Sequence, residues 1–314
     1  MNRRECIASS LALLSAACGP QAVHVSQEEE EAAAKPKGER FSLFVPTPER
    51  AARRMLDLAR VGPNDLVLDL GSGDGRIPIL AAQRYGARGW GVDIDPALVA
   101  KSISQAKRLT LTNRVVFEHG DAMSINPREA SVVTMYLFPS LMSRLKPILI
   151  KHLRPGTRIV SYEYTFSDWP PEETLHTYVP EHYQGVGADV SIRLWVVPAN
   201  FSGAWSGMIA APMESPIELT LQQHFQRIKG SIHLHGKNHA LSMTHVHGDE
   251  IEFAFGVDGV QYHLHARLAD GQLAGEVRNS RDDANAKHSW RANRTGAPSQ
   301  MVMKTWDESS SRTS

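Results

Sequence analysis

The chain has 314 residues, with 34 basic and 34 acidic side chains and therefore a formal net charge of zero. At about 150 residues per domain this length predicts two domains, and the balanced charge argues against broad nucleic-acid binding, which needs an excess of basic residues. Hydrophobic residues make up 42% of the chain and charged residues 22%, which is typical of a globular protein and not of a disordered one.

Residues 1–18 have the pattern of an export signal. Two arginines precede an apolar run that is too short to cross a bilayer, which needs about 20 apolar residues, but that fits the h-region of a signal peptide. The run ends in LSAAC, which resembles a bacterial lipobox in which Cys18 would be acylated. The segment predicts a membrane-anchored, lipoprotein-like protein of the bacterial cell envelope; the alternative is an uncleaved tail on a cytoplasmic protein. Residues 19–40 then form a polar tether.

The chain has two cysteines, Cys6 and Cys18, and both lie in this N-terminal segment. The rest of the chain therefore has no disulfide framework, no Cys-ligated zinc site and no cysteine nucleophile. Any nucleophile or metal site in the folded part must use other side chains.

Residues 41–198 alternate between short apolar strands and helices. Strands are predicted at 66–68, 89–92, 115–117, 132–137, 158–163 and 190–197, and helices at 48–59, 77–85, 96–111 and 141–153. This alternation predicts a parallel, doubly wound, Rossmann-like α/β sheet. Ligands of such sheets bind at the carboxyl ends of the strands, where Asp69, Asp93, Asp121, Tyr136 and Glu163 are expected to lie.

The first strand continues into a glycine-rich loop, DLGSGDGR, at residues 69–76. Dinucleotide-binding proteins also use such loops, so the charge of the loop has to distinguish the possible ligands. Two carboxylates, Asp69 and Asp74, would repel a pyrophosphate, but they suit S-adenosylmethionine, which carries an ammonium and a sulfonium and no phosphate. We therefore expect S-adenosylmethionine as the cofactor, with Gly71, Gly73 and Gly75 allowing its close approach to the backbone.

Two further strand ends complete the predicted cofactor site. Asp93 is placed to accept both ribose hydroxyls, the role that an acidic residue about 20 positions further on has in related folds. Asp121 and Ala122 lie where the adenine edge is expected. For Asp121 the alternative is a turn residue that bonds its own backbone.

Five segments resemble one methyltransferase family. They are FVPTPE at 44–49, DLGSGDGR at 69–76, GVDIDP at 91–96, MYLFPSLMSRLKP at 135–147 and LRPGTRIVSYEYTFSDWPPE at 153–172. The family comprises the archaeal broad-specificity protein-lysine methyltransferases and the mitochondrial lysine methyltransferases that modify the ATP-synthase c-subunit. The resemblance implies a class I methyltransferase that acts on protein lysine, with Val45, Pro46 and Thr47 closing the cofactor pocket.

After the fifth strand the chain departs from this family, whose usual Ser-His-acid-Phe is Ser161-Tyr162-Glu163-Tyr164 here. A lysine nucleophile, with a reference pKa of about 10.4, must lose a proton before it can accept a methyl group. Glu163 is the candidate that orients the amine and accepts the proton, and Tyr136 is a candidate lining of the lysine channel. The alternatives are a solvated strand-end carboxylate for Glu163 and a packed aromatic ring for Tyr136.

Two other functions fit these residues. One is a small-molecule methyltransferase. The other is a non-catalytic, lipid-anchored binding protein that has kept the fold.

The tryptophan that precedes two prolines, Trp169, is expected to anchor a loop and not to contact substrate.

Residues 200–295 change to a period of two, with turns at regular spacing. This pattern predicts an antiparallel meander of seven or eight strands, as an open sheet or small barrel, which we expect to dock substrate or to mediate dimerisation. Three His-x-His pairs are expected on its solvent-facing side, without a physiological metal; they are His233/His235, His245/His247 and His263/His265. Residues 296–314 are predicted to be a polar, disordered tail.

Overall fold

A computed structural model of the protein describes residues 44–182, 185–210, 214–281, 286–299 and 301. The predicted export signal and tether lie outside the described residues, as does most of the predicted tail. All described residues belong to one compact unit. Within these ranges no helix is both long and apolar enough to cross a membrane.

The first half of the described chain forms a seven-stranded sheet with helices on both faces. The strands are β1 (Leu66–Leu70), β2 (Arg88–Asp93), β3 (Val115–His119), β4 (Val132–Met135), β5 (Arg158–Tyr162), β6 (Glu173–Val179) and β7 (Ala188–Val196). The helices are α1 (Glu49–Leu58), α2 (Arg76–Tyr85), α3 (Pro96–Arg108) and α4 (Pro139–His152). Successive residues of a strand point to opposite faces, so Val67 packs with α1 and α2 whereas Leu68 packs with α4.

The strand order is β3-β2-β1-β4-β5-β7-β6, and β1 to β5 are parallel to one another. This confirms the doubly wound, Rossmann-like prediction for five strands. The prediction was wrong at the edge, where β7 runs antiparallel to β5 and to a strand, β6, that was not predicted. The β6–β7 connection has only eight residues, 180–187, which is too short for the crossover that parallel strands need, so the two strands pair as an antiparallel hairpin.

The second half forms an antiparallel sheet with nine strands among the described residues. They are β8 (Gly203–Ile209), β9 (Ser215–His224), β10 (Arg227–Leu234), β11 (Lys237–Ala240), β12 (Ser242–His247), β13 (Glu250–Val257), β14 (Val260–Ala269), β15 (Gln272–Asn279) and β16 (His288–Arg294). The first strand of the sheet pairs with the last, β8 with β16. The opposite edges also meet, because the Leu241 amide donates to the Gly230 carbonyl at 3.0 Å and the Val246 amide to the Gln226 carbonyl at 3.2 Å. The sheet is therefore a nearly closed barrel.

The barrel interior follows the predicted alternation. Ile232, Leu234, Phe253 and Phe255 are buried in one apolar cluster, and the intervening His233 is partly exposed. The prediction of seven or eight strands was too low, because β11 has only four residues and β12 is interrupted by a register shift between Ser242 and His245. Neither shows a clear period of two in the sequence.

A buried aromatic contact joins the barrel to the first sheet. Trp169 stacks on Phe225 with ring centroids 5.0 Å apart, and its indole nitrogen donates to Gln226 Oε1 at 2.8 Å. Lys146, from α4, lies over the same Phe225 ring at 5.6 Å and pairs with Asp168. Trp169 is thus the anchor that its sequence context indicated, and it fastens the α/β sheet to the barrel.

Candidate functional site

The candidate site lies where the strand order reverses, between β1 and β4. Helix connections leave these two neighbouring strands in opposite directions, which opens a crevice at their carboxyl ends. A cavity that is open to solvent occupies this crevice. Residues 44–47, Asp69, Gly71 and Tyr136 are among those that line it, so the structure brings together the predicted closing segment, the glycine loop and the end of β4.

Asp69 lies at the end of β1 and is 4% exposed. Its Oδ1 accepts a hydrogen bond of 2.7 Å from Thr134, the residue paired with it on β4. Burial, together with the neighbouring carboxylates of Asp93 and Asp74, raises the pKa of Asp69 to about 7. A cation in the cavity would favour the ionised carboxylate, so the site is suited to a positively charged ligand.

The glycine loop is shaped for close approach to its backbone. Gly71 and Gly73 have φ angles of 73° and 54°, and side chains rarely tolerate these values. A Cβ at Gly71 would lie 2.9 Å from Leu137 Cδ2, and one at Gly73 would overlap the Phe44 ring. Ser72 Oγ is buried there and has no hydrogen-bond partner among the described residues. This is a polar group that a bound ligand could satisfy.

Asp74 lines the cavity, as its sequence position suggested, and it is also paired with cationic side chains of the protein. Arg76 donates to both carboxylate oxygens of Asp74, at 2.8 and 2.7 Å, and Lys101 approaches at 3.5 Å, so hydrogen bonds and charge lower the pKa of Asp74 against the effect of its burial. Arg76 also donates to the Thr47 carbonyl at 2.9 Å. The pair ties residues 44–47 to the glycine loop, and the negative charge of Asp74 is balanced within the protein.

Asp93 supports the loop from β2. Its Oδ2 accepts from the Gly73 amide at 2.7 Å, and its Oδ1 accepts from the Asp95 amide at 2.9 Å. Each carboxylate oxygen can accept a second bond, so contact with ribose hydroxyls remains a prediction that this geometry permits.

The end of β3 places Asp121 in a turn. Its Oδ1 accepts from the Met123 amide at 2.8 Å, the arrangement given above as the alternative to adenine contact. Ala122 is partly buried and packs against the apolar cluster that contains Leu70 and Val92. Adenine contact by Asp121 and Ala122 stays a prediction.

Tyr136 connects the cavity to Glu163. Its hydroxyl donates to Glu163 Oε2 at 2.6 Å, and burial with this bond holds the pKa of Tyr136 well above its ordinary value. Glu163 has a φ angle of 63°, an uncommon conformation for this residue type. Its amide donates to the Ser191 carbonyl at 2.8 Å, and Arg193 donates to its carbonyl oxygen. The surroundings thus hold Glu163 in a strained conformation, a feature that clusters at functional sites.

An aromatic group extends from Tyr136 towards solvent. Its ring stacks on Tyr164 at 5.9 Å and meets the edge of Tyr162 at 4.8 Å. Tyr164 in turn contacts Phe138 at 5.6 Å, and Phe138 is 44% exposed. These rings could receive a cationic side chain on its way to Glu163.

Several residues at the site were not singled out from the sequence. Ser72, Arg76 and Phe44 lie inside motifs that were identified, so a closer reading of those motifs could have found them. Thr134 follows from the pairing of β1 with β4. His182 comes from the β6–β7 connection and lies beside Glu163, with 3.4 Å between Nε2 and Oε1. No spacing or motif in the sequence points to it.

The His-x-His pair of β12 meets a carboxylate of the first sheet. Ligand atoms of Glu172, His245 and His247 lie within 4.8 Å of one another, and both histidines are exposed. Glu172 Oε2 is 3.5 Å from His247 Nδ1, and its Oε1 is buried without a partner among the described residues. The absence of a metal from this protein stays a prediction, and this cluster is where it can be tested.

Comparisons with known proteins identify relatives of the first half of the chain. The family model of the ANTKMT methyltransferase domain matches residues 69–173. A protein-lysine N-methyltransferase of Saccharolobus islandicus is 40% identical over 133 residues, which are 42% of this chain and 83% of that protein. The adenine nucleotide translocase lysine N-methyltransferase of Mus musculus is 30% identical over 173 residues, which are 55% of this chain and 69% of that protein.

A solved structure is also similar. It is an RNA methyltransferase from Salinibacter ruber in complex with S-adenosyl-L-homocysteine, 42% identical, with a TM-score of 0.44, and the match covers 49% of this chain and 94% of that one. The family match ends at residue 173, before the barrel begins.

Proposed function

Because the chain belongs to the S-adenosylmethionine-dependent methyltransferases of the ANTKMT family, we propose that it N-methylates lysine side chains of a protein substrate. The two curated relatives described above are named as lysine methyltransferases. The observation that carries the proposal is the partly buried hydrogen bond between Tyr136, which lines the cavity, and Glu163. The Glu163 carboxylate is therefore bonded to the hydroxyl of Tyr136, the ring that a substrate amine in the cavity would contact.

The residues of the cavity fit the cofactor. Asp69 offers a buried carboxylate to the ammonium group, Ser72 offers an unsatisfied hydroxyl, and the glycines leave room that a Cβ would fill. The cofactor, when bound, supplies a methyl group on a positively charged sulfur. Residues 44–47, tied to the loop through Arg76, would cover it and exclude water.

The acceptor side of the site must bind a lysine ammonium and remove one proton. The aromatic faces of Tyr136 and Tyr164 can hold the lysine ammonium by cation–π contact as its hydration water is removed. This loss of hydration lowers the pKa of the lysine amine. The raised pKa of Tyr136 keeps its own proton on the phenol, so Tyr136 is a hydrogen-bond donor and not the base. Glu163 is the base: an N–H bond of the ammonium breaks and an O–H bond forms on the carboxyl group. The neutral amine is then held for attack on the methyl carbon.

The experiment that tests the substrate is incubation of the full chain with S-adenosylmethionine labelled in its methyl group and with lysate of the host, followed by mass spectrometry. We expect label on lysine residues of one or a few proteins. Label in small molecules alone would support the small-molecule alternative. Cofactor binding without any transfer would support a binding protein that has kept the fold.

A further inference from the structure

Glu163 has a second neighbour opposite Tyr136. His182 Nε2 lies 3.4 Å from Glu163 Oε1, and His182 Nδ1 lies 2.9 Å from the hydroxyl of Tyr162. The His182 side chain is 18% exposed. One continuous chain of polar groups therefore runs from Tyr162 through His182 and Glu163 to Tyr136, at the wall of the cavity.

The partners of His182 fix which ring nitrogen carries the proton. His182 Nε2 approaches the Glu163 carboxylate to 3.4 Å, and a lone pair at that position would be repelled, so the contact favours a proton on Nε2. Nδ1 then accepts from the Tyr162 hydroxyl, whose raised pKa keeps its proton in place. Tyr136 donates to Glu163 Oε2 at 2.6 Å and His182 Nε2 lies 3.4 Å from Oε1, so each oxygen of the carboxylate has its own polar neighbour.

The other charged groups near the Glu163 carboxylate have contacts elsewhere. Arg193 donates to the backbone carbonyl of Glu163, outside the carboxylate. Glu181, next to His182 in the chain, lies 3.7 Å from Arg50 on α1. Tyr164, the residue after Glu163 in the chain, has a pKa that is raised by burial and by the charge of Glu163. His182 is thus the side chain that faces the side of Glu163 away from Tyr136.

We propose that His182 is a positioning residue for the methyl-transfer reaction, which holds the Glu163 carboxylate in the rotamer that faces the acceptor amine. The proposal rests on the proposed function, in which Glu163 takes the proton. The imidazole exchanges no proton in the step. A carboxylate with a polar neighbour at each oxygen is restrained from turning away from the amine, and a misplacement of about 1 Å can cost on the order of 100-fold in rate.

The test compares His182→Ala and His182→Gln with His176→Ala in the full chain, with polylysine as acceptor. The Gln amide can replace the Nε2–H donor, whereas His176 lies on the same hairpin and bonds Ser191 at 3.1 Å, away from the carboxylate. We expect His182→Ala to lower kcat about tenfold or more through loss of positioning, with unchanged affinity for S-adenosylhomocysteine by calorimetry. His182→Gln should recover most of the loss, and His176→Ala should match the wild type. Wild-type turnover in His182→Ala would overturn the proposal.

A second readout does not depend on the acceptor. Nitrogen-15 NMR of the histidine rings in the wild type should show His182 as the neutral Nε2–H tautomer. The Nδ1–H tautomer would overturn the proposal even if all variants were active. Because the measurement uses the wild type, it tests the proposal also in the case that His182→Ala does not fold. If neither polylysine nor any lysate protein is methylated by the wild type, the proposed lysine methyltransferase function is wrong. The tautomer of His182 still tests its contact with Glu163 in that case.

Discussion

Asp69 has a carboxyl group whose ionisation should control cofactor binding. Its pKa is raised to about 7 because the side chain is buried close to two other carboxylates. A ligand ammonium prefers the ionised form, so protonation of Asp69 competes with binding. Affinity should be full above the raised pKa and should fall as the pH drops below it.

We therefore expect the affinity for S-adenosylhomocysteine, measured by calorimetry, to weaken below about pH 7 by up to about tenfold per pH unit. Asp69→Asn should weaken binding at pH 8 by about 1.5–3 kcal/mol and should remove most of this pH dependence. Asp270→Asn, on an exposed barrel turn, is the control and should behave like the wild type. Equal affinity of Asp69→Asn and wild type at pH 8 would remove Asp69 from the cofactor site.

Glu163 is predicted to act on the acceptor and not on the cofactor. Glu163→Gln keeps the size of the side chain and removes the base, so kcat should fall about 100-fold or more while cofactor affinity changes little. Steady-state kinetics with labelled cofactor and calorimetry provide the two measurements. Glu173→Gln, an exposed neighbour at the start of β6, is the matched control. Unchanged turnover in Glu163→Gln would show that another group takes the proton.

Asp69, Asp93 and Glu163 share one property, because each lies at or directly after the carboxyl end of a strand of the sheet. The carboxyl ends of such strands meet at one edge, so Asp69, Asp93 and Glu163 could be placed without coordinates. The side chains that contact these carboxylates could not be placed from the sequence. The balance of Asp74 by Arg76 depends on rotamers, and His182 reaches the site from a hairpin connection whose path no local pattern specifies.

At the scale of elements, burial on both faces made β1, β4 and β5 predictable, because it requires continuous apolar runs. The edge strand β3 also has an apolar run, Val115 to Phe117, although Val116 is exposed. β6 lies at the edge of the sheet and mixes exposed with half-buried residues, so it has no such run. The orientation of β7 depends on its pairing with β6. Because β6 was not predicted, β7 was expected to run parallel to the other strands. In the barrel the alternation was clear, and only the short β11 and the bulged β12 altered the strand count.

The Trp169–Phe225 stack should be a principal contact between sheet and barrel. Trp169→Ala removes a fully buried ring and leaves Gln226 Oε1 without its donor, so we expect a loss of about 3–5 kcal/mol in the free energy of unfolding. Phe138→Ala, at a ring that is partly exposed, should cost much less. Urea unfolding of both variants provides the comparison. Equal stability of the two variants would show that the stack does not hold the elements together.

The Glu172–His245–His247 cluster provides the test of the prediction that the protein has no metal. Zinc binds nitrogen and oxygen ligands at about 2.0–2.2 Å, so its ligand atoms lie about 3.5 Å apart, and this cluster is looser, with both rings exposed. We expect elemental analysis of tag-free protein to find no stoichiometric transition metal, and chelation to leave the melting temperature unchanged. One metal per chain, lost in His247→Ala, would instead make the cluster a metal site.

At the scale of the whole molecule, the chain combines a methyltransferase half with a barrel that the family match does not reach. The barrel is packed with apolar side chains, including Trp205 and Trp290, so the cavity described above belongs to the α/β sheet alone. The buried contact at Trp169 fixes the barrel to the loop that follows Glu163. We propose that the barrel presents a substrate or a second copy of the chain to the methyltransferase half.

The N-terminal segment determines in which compartment this activity would operate. A charged start, a short apolar run and Cys18 in a lipobox-like context motivate the proposal that the chain is exported and anchored through acylated Cys18. Cell fractionation provides the test: the wild type should be found with membranes, and Cys18→Ala should leave that fraction, whereas Cys6→Ala should not. S-adenosylmethionine is made in the cytosol, so an exported enzyme would also need a supply of it. A wild type that is recovered wholly in the cytosolic fraction with Met1 retained would contradict the anchor, and the protein would then act as a cytoplasmic methyltransferase.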